Sequence, residues 1–186
     1  MLIMHDTRIK AMAEERGMIA PFFEGNLHKT RISRGLSYFG YDITLGKGFK
    51  TLRRGVEGLI IDPLTTKPED VFVNFNDEAP IVYPGEFILG HSVEYFRIPE
   101  NVIAFCIGKS TYARWGIQVM MTPLEPGWEG QVTVEVANLG PYPVVLHAGQ
   151  GIAQFVFLEN DVAPSRNYAT EGGKYMRQLG VVAARA

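Results

Sequence analysis

From Leu36 onward the chain is a succession of short apolar segments separated by Gly, Pro, Asn and Asp. β-branched and aromatic residues are concentrated in these segments, a pattern typical of strands joined by turns. No strong helical period recurs after Gly35, which argues against alternating βαβ units. We therefore predict a mainly β chain folded as one largely antiparallel β barrel or jelly roll. The predicted strands are 41–45, 48–53, 71–74, 87–91, 102–107, 117–121, 131–137, 143–146 and 151–158.

The clearest helical pattern lies near the N-terminus. Apolar residues recur at helical spacing after Ile9, Asp6 or Thr7 can cap the first turn, and Gly17 can end the helix. We predict a short N-terminal helix over about 6–17.

The length of 186 residues suits a single domain with a sizeable core. We expect one domain over 1–186, with a β core at about 36–158 and a tail at about 160–186. The tail lacks a core pattern, which by itself favours disorder unless a ligand or a neighbour holds it. The polar segment between the strands near 50 and 71 is expected on the surface, with Arg53 and Arg54 as a solvated pair.

The charge balance limits the classes of partner. A formal net charge of −2 and a pI near 6.1 give no bulk attraction to nucleic acid or to anionic membranes, so we predict neither as a partner. The lone cysteine, Cys106, excludes an intramolecular disulfide and is expected to be a small buried hydrophobe. Neither a signal peptide nor a membrane-length apolar run is recognisable, so a cytoplasmic location is expected.

A polar loop follows the predicted strand 102–107. Within six residues of Gly108 it carries Lys109, two hydroxyl side chains and Arg114. Such a loop is suited to binding phosphate, because cations supply charge and hydroxyls and backbone amides supply donors. The ordinary alternative is a solvated turn.

A carboxylate, Glu135, interrupts the alternating run VTVEV. The valines share one face of the predicted strand, whereas Thr133 and Glu135 share the other. On alternation alone, the default prediction is a solvent-facing glutamate.

These elements occur together in a pattern that resembles a known family. GKSTYARWG followed by MTPLEPGWEGQVTVEVAN is similar to the core of the dCTP deaminases, which belong to the trimeric dUTPase-like superfamily. The resemblance extends upstream through SYFGYDITLGKGFK and PGEFILGHSVEYFRIPENV, and downstream through GIAQFVFL and GGKYMRQLG. It implies a dUTPase-like fold and the hydrolytic deamination of dCTP to dUTP and ammonia in pyrimidine deoxyribonucleotide metabolism.

The resemblance also implies roles for individual residues. Glu135 matches the family glutamate that shuttles protons, with Asn138 three residues on. Ser110 and Arg114 match positions that hold the water and stabilise charge. A shuttle must both accept and donate protons, which requires a raised pKa such as partial burial supplies.

Further positions match nucleotide contacts, and the family tail folds over the bound triphosphate. Glu125, in the turn MTPLEPGW, either contacts the 3′-hydroxyl or is simply a turn carboxylate. The implied substrate-binding residues are Lys109, Ser110, Thr111, Tyr112, Ala113, Arg114, Glu125, Thr133, Val134, Glu135, Gln154, Tyr168, Lys174 and Gln178.

Cofactor and partner expectations follow in the same way. A zinc deaminase needs a His or Cys and a PCxxC pair, but this chain has one cysteine and four scattered histidines, His5, His28, His91 and His147, so no zinc is expected. The resemblance implies Mg²⁺ bound to the substrate triphosphate rather than to a protein site. It also implies a homotrimer with active sites at subunit interfaces, and it leaves dTTP open as a feedback inhibitor.

Alternatives to a monofunctional deaminase stay open at this point. A bifunctional enzyme would also hydrolyse dUTP to dUMP and diphosphate. A plain dUTPase is disfavoured by Glu135, because that family generally has an apolar residue there. A non-catalytic, dUTPase-like binding module would not need the five residues Ser110, Arg114, Glu135, Tyr168 and Gln178 together.

Overall fold

The computed structural model describes residues 1–25, 31–53, 55 and 58–185. His28, one of the four histidines, and Arg54, the second arginine of the predicted solvated pair, lie outside these residues. Arg53 is exposed, as predicted.

The described residues form strands and short helices in the order expected for a mainly β chain. The helices are α1 (Asp6–Arg16), α2 (Pro68–Val71) and α3 (Ser110–Ala113). The strands are β1 (Leu2–Ile3), β2 (Ile19–Ala20), β3 (Gly35–Ser37), β4 (Gly40–Thr44), β5 (Gly48–Leu52), β6 (Phe72–Asn76), β7 (Ile81–Val82), β8 (Phe87–Arg97), β9 (Val102–Gly108), β10 (Ile117–Met120), β11 (Glu129–Asn138), β12 (Val144–Val145) and β13 (Gly151–Glu159).

The N-terminal helix α1 occupies the predicted segment, but its cap differs. His5 is the N-cap residue and makes no side-chain capping bond. Asp6 is the first helical residue, and its carboxylate accepts the Thr7 N–H at 2.8 Å. The predicted N-cap at Asp6 or Thr7 is therefore wrong, because the observed N-cap lies one residue before Asp6 and two before Thr7. Gly17 ends the helix as predicted: its φ of 65° lies in the left-handed region, and its N–H returns to the Ala13 carbonyl.

Two antiparallel sheets build the body of the chain. The first sheet has the order β1-β13-β4-β3, with β9 on the other edge of β13. The second has the order β10-β11-β8-β5-β6, with β2 also paired to β8. The prediction of a mainly β fold with a short N-terminal helix is confirmed.

The hydrophobic core lies between these sheets. Phe96 of β8 packs edge-to-face against Phe155 of β13, with ring centroids 5.2 Å apart, and Tyr41 of β4 contacts the same Phe96 ring at 6.4 Å. All three side chains are fully buried. Aromatic side chains with this area contribute strongly to the packing of small domains.

The predicted strands agree with the observed ones except at their ends. β8 is the largest difference, because it continues to Arg97 although the prediction stops at 91. Four short strands, β1, β2, β3 and β7, have only two or three residues and therefore show no alternation that could predict them. No helix in the described part of the chain is long and apolar enough to cross a membrane.

Candidate active site

Glu135 lies on the outer face of β11, but its side chain is not freely solvated. β11 alternates between buried and half-buried residues, and Glu135 belongs to the half-buried set. Its Oε2 atom is buried without a hydrogen-bond partner. Desolvation raises the pKa of the Glu135 carboxyl to about 7. The default of a solvent-facing glutamate is therefore wrong: the face is the expected one, but other segments cover it.

The Glu135 side chain lines a cavity of about 410 Å³. This volume is in the range of pockets that hold small-molecule ligands. The outer face of the second sheet, the turn before β11 and the C-terminal tail form its walls. The lining residues are Phe72, Phe87, Leu89, Met121, Thr122, Pro123, Leu124, Glu125, Trp128, Val132, Thr133, Glu135, Tyr168, Tyr175, Gln178, Val182 and Ala184.

Thr133 occupies a gap in the hydrogen-bond ladder of β11. Val132 donates its N–H to the Ser92 hydroxyl on β8, so the backbone groups of Thr133 point to the opposite edge. On that edge, the ladder of β10 with β11 begins at Glu135. Among the described residues, the backbone–backbone hydrogen bonds of the tail to β11 reach Glu129 and Gln131 and not Thr133. The N–H and C=O of Thr133 therefore face the space between these two pairings, where they can bind a planar ring with complementary donor and acceptor groups.

The side chains beside this gap differ in what they offer a ligand. The Thr133 hydroxyl both donates to the Val182 carbonyl and accepts from the Val182 N–H, at 3.2 Å each. The Val134 side chain is fully buried in the core. Its predicted contact with substrate therefore cannot involve its side chain.

The polar loop 109–114, which was predicted to bind phosphate and is called the phosphate-type loop below, contains the short helix α3. None of its residues lines the Glu135 cavity. Ser110 and Arg114 are both exposed. Arg114 instead lines a separate cleft of about 740 Å³, together with Trp115 and Tyr142. Within one chain, the three predicted catalytic residues are therefore not brought together.

Other residues of this loop also lie outside the lining of the Glu135 cavity. Thr111 and Ala113 are exposed, and Thr111 lines the same cleft as Arg114. Tyr112 is buried, and its hydroxyl accepts the His147 N–H at 3.0 Å. That bond anchors α3 to the chain before β13.

Lys109 is held by an acid that the sequence analysis missed. Its ammonium group forms an ion pair with Asp42 of β4, a buried carboxylate that also accepts the Ser33 hydroxyl at 3.1 Å. The other carboxylate oxygen of Asp42 has no partner. Lys109, Asp42 and Gln154 line a third cleft, of about 420 Å³. One sequence signal could have identified Asp42: it is the charged residue in the otherwise uncharged strand GYDIT.

The C-terminal tail packs on β11. The Gln178 side chain is buried and donates to the Gln131 carbonyl at 2.8 Å, while Gln131 N–H donates to the Gln178 carbonyl. Tyr168 N–H donates to the Pro126 carbonyl. The tail therefore covers the strand that carries Glu135, which the sequence composition alone did not predict.

Tyr168 and Lys174 already have partners within the tail. The Tyr168 hydroxyl accepts the Tyr175 N–H at 3.0 Å. Lys174 is exposed, and its ammonium group donates to the Arg185 carbonyl at 3.1 Å. Tyr175, which the sequence analysis did not single out, also accepts the Trp128 indole N–H through its carbonyl at 3.2 Å.

The turn Thr122–Trp128 closes one side of the cavity. Glu125 is exposed and lines both this cavity and a neighbouring open cleft. Trp128 is 5% exposed and packs under the tail. Glu125 thus lines the same cavity as Glu135.

Two features of the described residues concern metal ligands and the thiol of Cys106. In the described ranges no three His, Cys, Asp or Glu side chains are grouped to hold a metal ion. Cys106 is half-buried, and desolvation followed by the Glu135 charge raises its thiol pKa to about 12. A thiol with that pKa is an inert one at neutral pH.

Comparison with known proteins identifies the family. A family model described as dCTP deaminase-like matches residues 3–160. The dCTP deaminase of Granulibacter bethesdensis is 48% identical over 181 residues, 97% of each protein. The dCTP deaminase of Herpetosiphon aurantiacus is 45% identical over 185 residues, 100% of each protein.

The fold is also similar to a solved structure. The 2′-deoxycytidine 5′-triphosphate deaminase of Agrobacterium tumefaciens matches with a TM-score of 0.63 at 18% identity, over 85% of this chain. The match covers 48% of that protein, so this chain spans about half of its length. At this identity the likeness supports the fold. The family match and the full-length relatives show that this chain belongs to the dCTP deaminase-like family.

Proposed function

We propose that this chain catalyses the hydrolytic deamination of dCTP to dUTP and ammonia. One observation carries the proposal: the buried Glu135 oxygen without a partner lies beside the open backbone groups of Thr133, in a cavity of about 410 Å³. The full-length relatives named dCTP deaminase support the choice of substrate.

Glu135 moves two protons in this reaction. Water attacks C4 of the cytosine ring, a C–O bond forms, and the Glu135 carboxylate accepts the proton that water loses. The carboxyl group then gives that proton to N3. It next takes the proton of the new hydroxyl and delivers it to the amino group, the C–N bond breaks, and ammonia leaves. A carboxyl pKa of about 7 suits both directions of transfer.

The base-binding part of the site comes from β11. The N–H and C=O of Thr133 pair with the edge of the pyrimidine, which fixes C4 and N3 beside Glu135. Glu125, at the mouth of the cavity, contacts the sugar 3′-hydroxyl. Gln178 and Tyr168 hold the tail over the nucleotide.

The cavity cannot bind a triphosphate by itself. Among the described residues that line it there is no Lys or Arg, while Glu125 and Glu135 are both acidic. A triphosphate requires cations to balance its charge. The basic residues must therefore come from elsewhere.

A homotrimer supplies them, with the 109–114 loop of a neighbouring chain completing each site. Large apolar side chains around this loop are exposed, as expected of a surface that another subunit covers: Phe105 is 43%, Ile107 56% and Trp115 71% exposed. In the assembled site, Ser110 and Arg114 hold the attacking water and stabilise charge. Lys109, Thr111, Gln154 and Lys174 contact phosphate groups, and Tyr112 and Ala113 shape the loop.

Mg²⁺ enters as part of the substrate, bound to triphosphate oxygens. There it neutralises phosphate charge and keeps most of its water ligands. We further propose a cytoplasmic location and binding of dTTP in the same cavity. The bifunctional and non-catalytic alternatives are not favoured, because the full-length relatives bear the name dCTP deaminase.

Product analysis tests the proposed function. The purified chain is incubated with dCTP and Mg²⁺, ammonia is measured, and nucleotides are separated by ion exchange. Accumulation of dUTP with equimolar ammonia is the expected result. Formation of dUMP with diphosphate would instead indicate the bifunctional enzyme, and absence of ammonia would overturn the proposal.

A further inference from the structure

A bulge in β8 lies opposite Val132, immediately before residues 133–135 of β11. We refer to residues 133–135 as the catalytic segment of β11. Gln131 pairs with Tyr95, but Thr133 pairs with His91. The three residues Ser92, Val93 and Glu94 therefore face the single residue Val132. We refer to Ser92–Glu94 as the β8 bulge.

Ser92 closes this bulge from inside the core. Its hydroxyl accepts the Val132 N–H at 2.8 Å and donates to the Glu94 carbonyl at 2.7 Å. Ser92 is fully buried and Val132 is 4% exposed. Without the hydroxyl, the Val132 N–H would be a buried donor without a partner, which is unfavourable for this arrangement of the two strands.

Glu94 anchors the same bulge across the core. Its carboxyl group, fully buried, accepts the Thr44 N–H at 2.9 Å and the Thr44 hydroxyl at 2.6 Å. Thr44 belongs to the first sheet and stands two residues after Asp42, the partner of Lys109. The bulge is thereby tied to the strand that holds the phosphate-type loop.

The bulge determines which residue of β8 faces Glu135. With it, Glu135 pairs with Leu89. A regular ladder continued from Gln131 and Tyr95 would pair Glu135 with His91 instead, a displacement of two residues, or about 7 Å, along β8. Bulges beside active sites re-aim side chains in this way.

We propose that Ser92 and Glu94 are positioning residues for Glu135 and Thr133. Ser92 acts through the Val132 N–H and holds the start of the catalytic segment of β11. Glu94 acts through Thr44 and keeps the bulge at a fixed place relative to the first sheet. Neither residue lines the cavity, so neither touches substrate.

A graded series at Ser92 tests this proposal, which rests on the proposed deaminase activity. Ser92→Thr keeps the hydroxyl, Ser92→Cys keeps the shape but weakens both hydrogen bonds, and Ser92→Ala removes them. Misplacing a catalytic group by about 1 Å can cost about a hundredfold in rate. We expect kcat for dCTP to stay within about threefold in Ser92→Thr, to fall in Ser92→Cys and to fall at least about tenfold in Ser92→Ala. The KM for dCTP should rise by a smaller factor in Ser92→Ala, because the backbone of Thr133 binds the base.

Two controls separate positioning from a general loss of stability. Ile9 is fully buried on α1 and does not line the Glu135 cavity, so Ile9→Val should lower the Tm and leave kcat unchanged. Backbone amide NMR shifts of Thr133 to Glu135, measured without nucleotide, should change in Ser92→Ala and not in Ser92→Thr.

The outcomes are distinguishable from failure of the proposed function. If the unmodified chain releases no ammonia from dCTP, the function fails, and the NMR shifts alone decide the positioning role. If the chain is active but folded Ser92→Ala keeps its kcat, or if the shifts of Thr133 to Glu135 do not change, Ser92 is only a structural residue and the proposal is overturned.

Discussion

Glu135 and Leu89 face each other directly in the antiparallel pairing of β11 with β8. Leu89 is 5% exposed, and on the other side of Glu135 the paired residue is Met120. Neither apolar neighbour can donate a hydrogen bond to the carboxylate, whose Oε2 atom has no partner. Burial without a donor penalises the charged form, which is why the Glu135 pKa rises to about 7.

The first prediction concerns the pH dependence of the rate. Protonated Glu135 cannot accept the proton of the attacking water, so kcat/KM should fall as the pH drops below about 7. Among the described residues, the other titratable groups that line the cavity are Glu125, Tyr168 and Tyr175. Cys106 lies near Glu135, and His91 lies diagonally across the strand pair from it. A profile of kcat/KM between about pH 5 and about pH 9 measures the midpoint. An acid limb centred near 4.5, the ordinary value, would contradict the account.

A second prediction concerns the effect of the Glu135 carboxyl on the pH dependence of folding stability. Its pKa is raised in the folded chain, so the native state binds the proton more tightly than the unfolded state, and stability falls as pH rises from about 4.5 to about 7. The Glu135→Gln variant has no carboxyl group to ionise at this position, so its stability does not fall for this reason as the pH rises. Its Tm should therefore exceed that of the unmodified chain near pH 8 and approach it below about pH 4.5.

Glu159 provides a control of opposite sign for this measurement. The hydrogen bond from Arg8 lowers the pKa of the Glu159 carboxyl, so its stabilising contribution is present above the ordinary pKa and lost as pH falls. Glu159→Gln should lower the Tm near pH 8. Equal shifts in both variants would mean that the Glu135 effect does not arise from burial of its charge.

The shared-site proposal predicts complementation between two inactive variants. Arg114→Ala keeps Glu135, and Glu135→Gln keeps Arg114, so a mixed trimer contains some sites with both residues intact. After unfolding and refolding an equal mixture, about a quarter of the sites should be active, since each site draws on two neighbouring chains. Activity is compared with that of each variant refolded alone. A mixture as inactive as its components would place Arg114 and Glu135 outside a common site.

Removal of the tail tests the role of residues 161–186 in nucleotide binding. Truncation after Asn160 removes the cover of Trp128 and the partner of Gln131, and it opens the Glu135 cavity to water. We expect the KM for dCTP to rise steeply or activity to disappear, while the two sheets stay folded by circular dichroism. Single substitution of Gln178 by Ala should give a smaller effect in the same direction. An unchanged kcat/KM after truncation would show that the tail does not hold the nucleotide.

The sequence pattern predicted the sheets because alternation records which face of a strand is buried. β11 shows this most clearly: its valines enter the core, and Thr133 and Glu135 lie on the opposite face. Long strands carry enough residues for this signal, whereas a pair such as Leu2–Ile3 does not.

The surroundings of the outer face of β11, which carries Thr133 and Glu135, could not be predicted from the alternation of apolar and polar residues. Glu135 is covered by residues some forty positions later in the chain, including Tyr175 and Val182, and such long-range contacts leave no local pattern. The ion pair of Lys109 with Asp42 joins residues 67 positions apart for the same reason. The β8 bulge escaped prediction because two extra residues preserve the alternation of buried and outward side chains.

The most direct test of the central claim compares Glu135→Gln with the unmodified chain. Binding of dCTP with Mg²⁺ is measured by calorimetry, and turnover is measured by ammonia release. If Glu135 is the proton shuttle, the variant should bind dCTP within a few-fold of the unmodified affinity and lose about a thousandfold in kcat, the range for a general acid–base group. Ammonia release at a rate within about tenfold of the unmodified chain would contradict the assignment of Glu135.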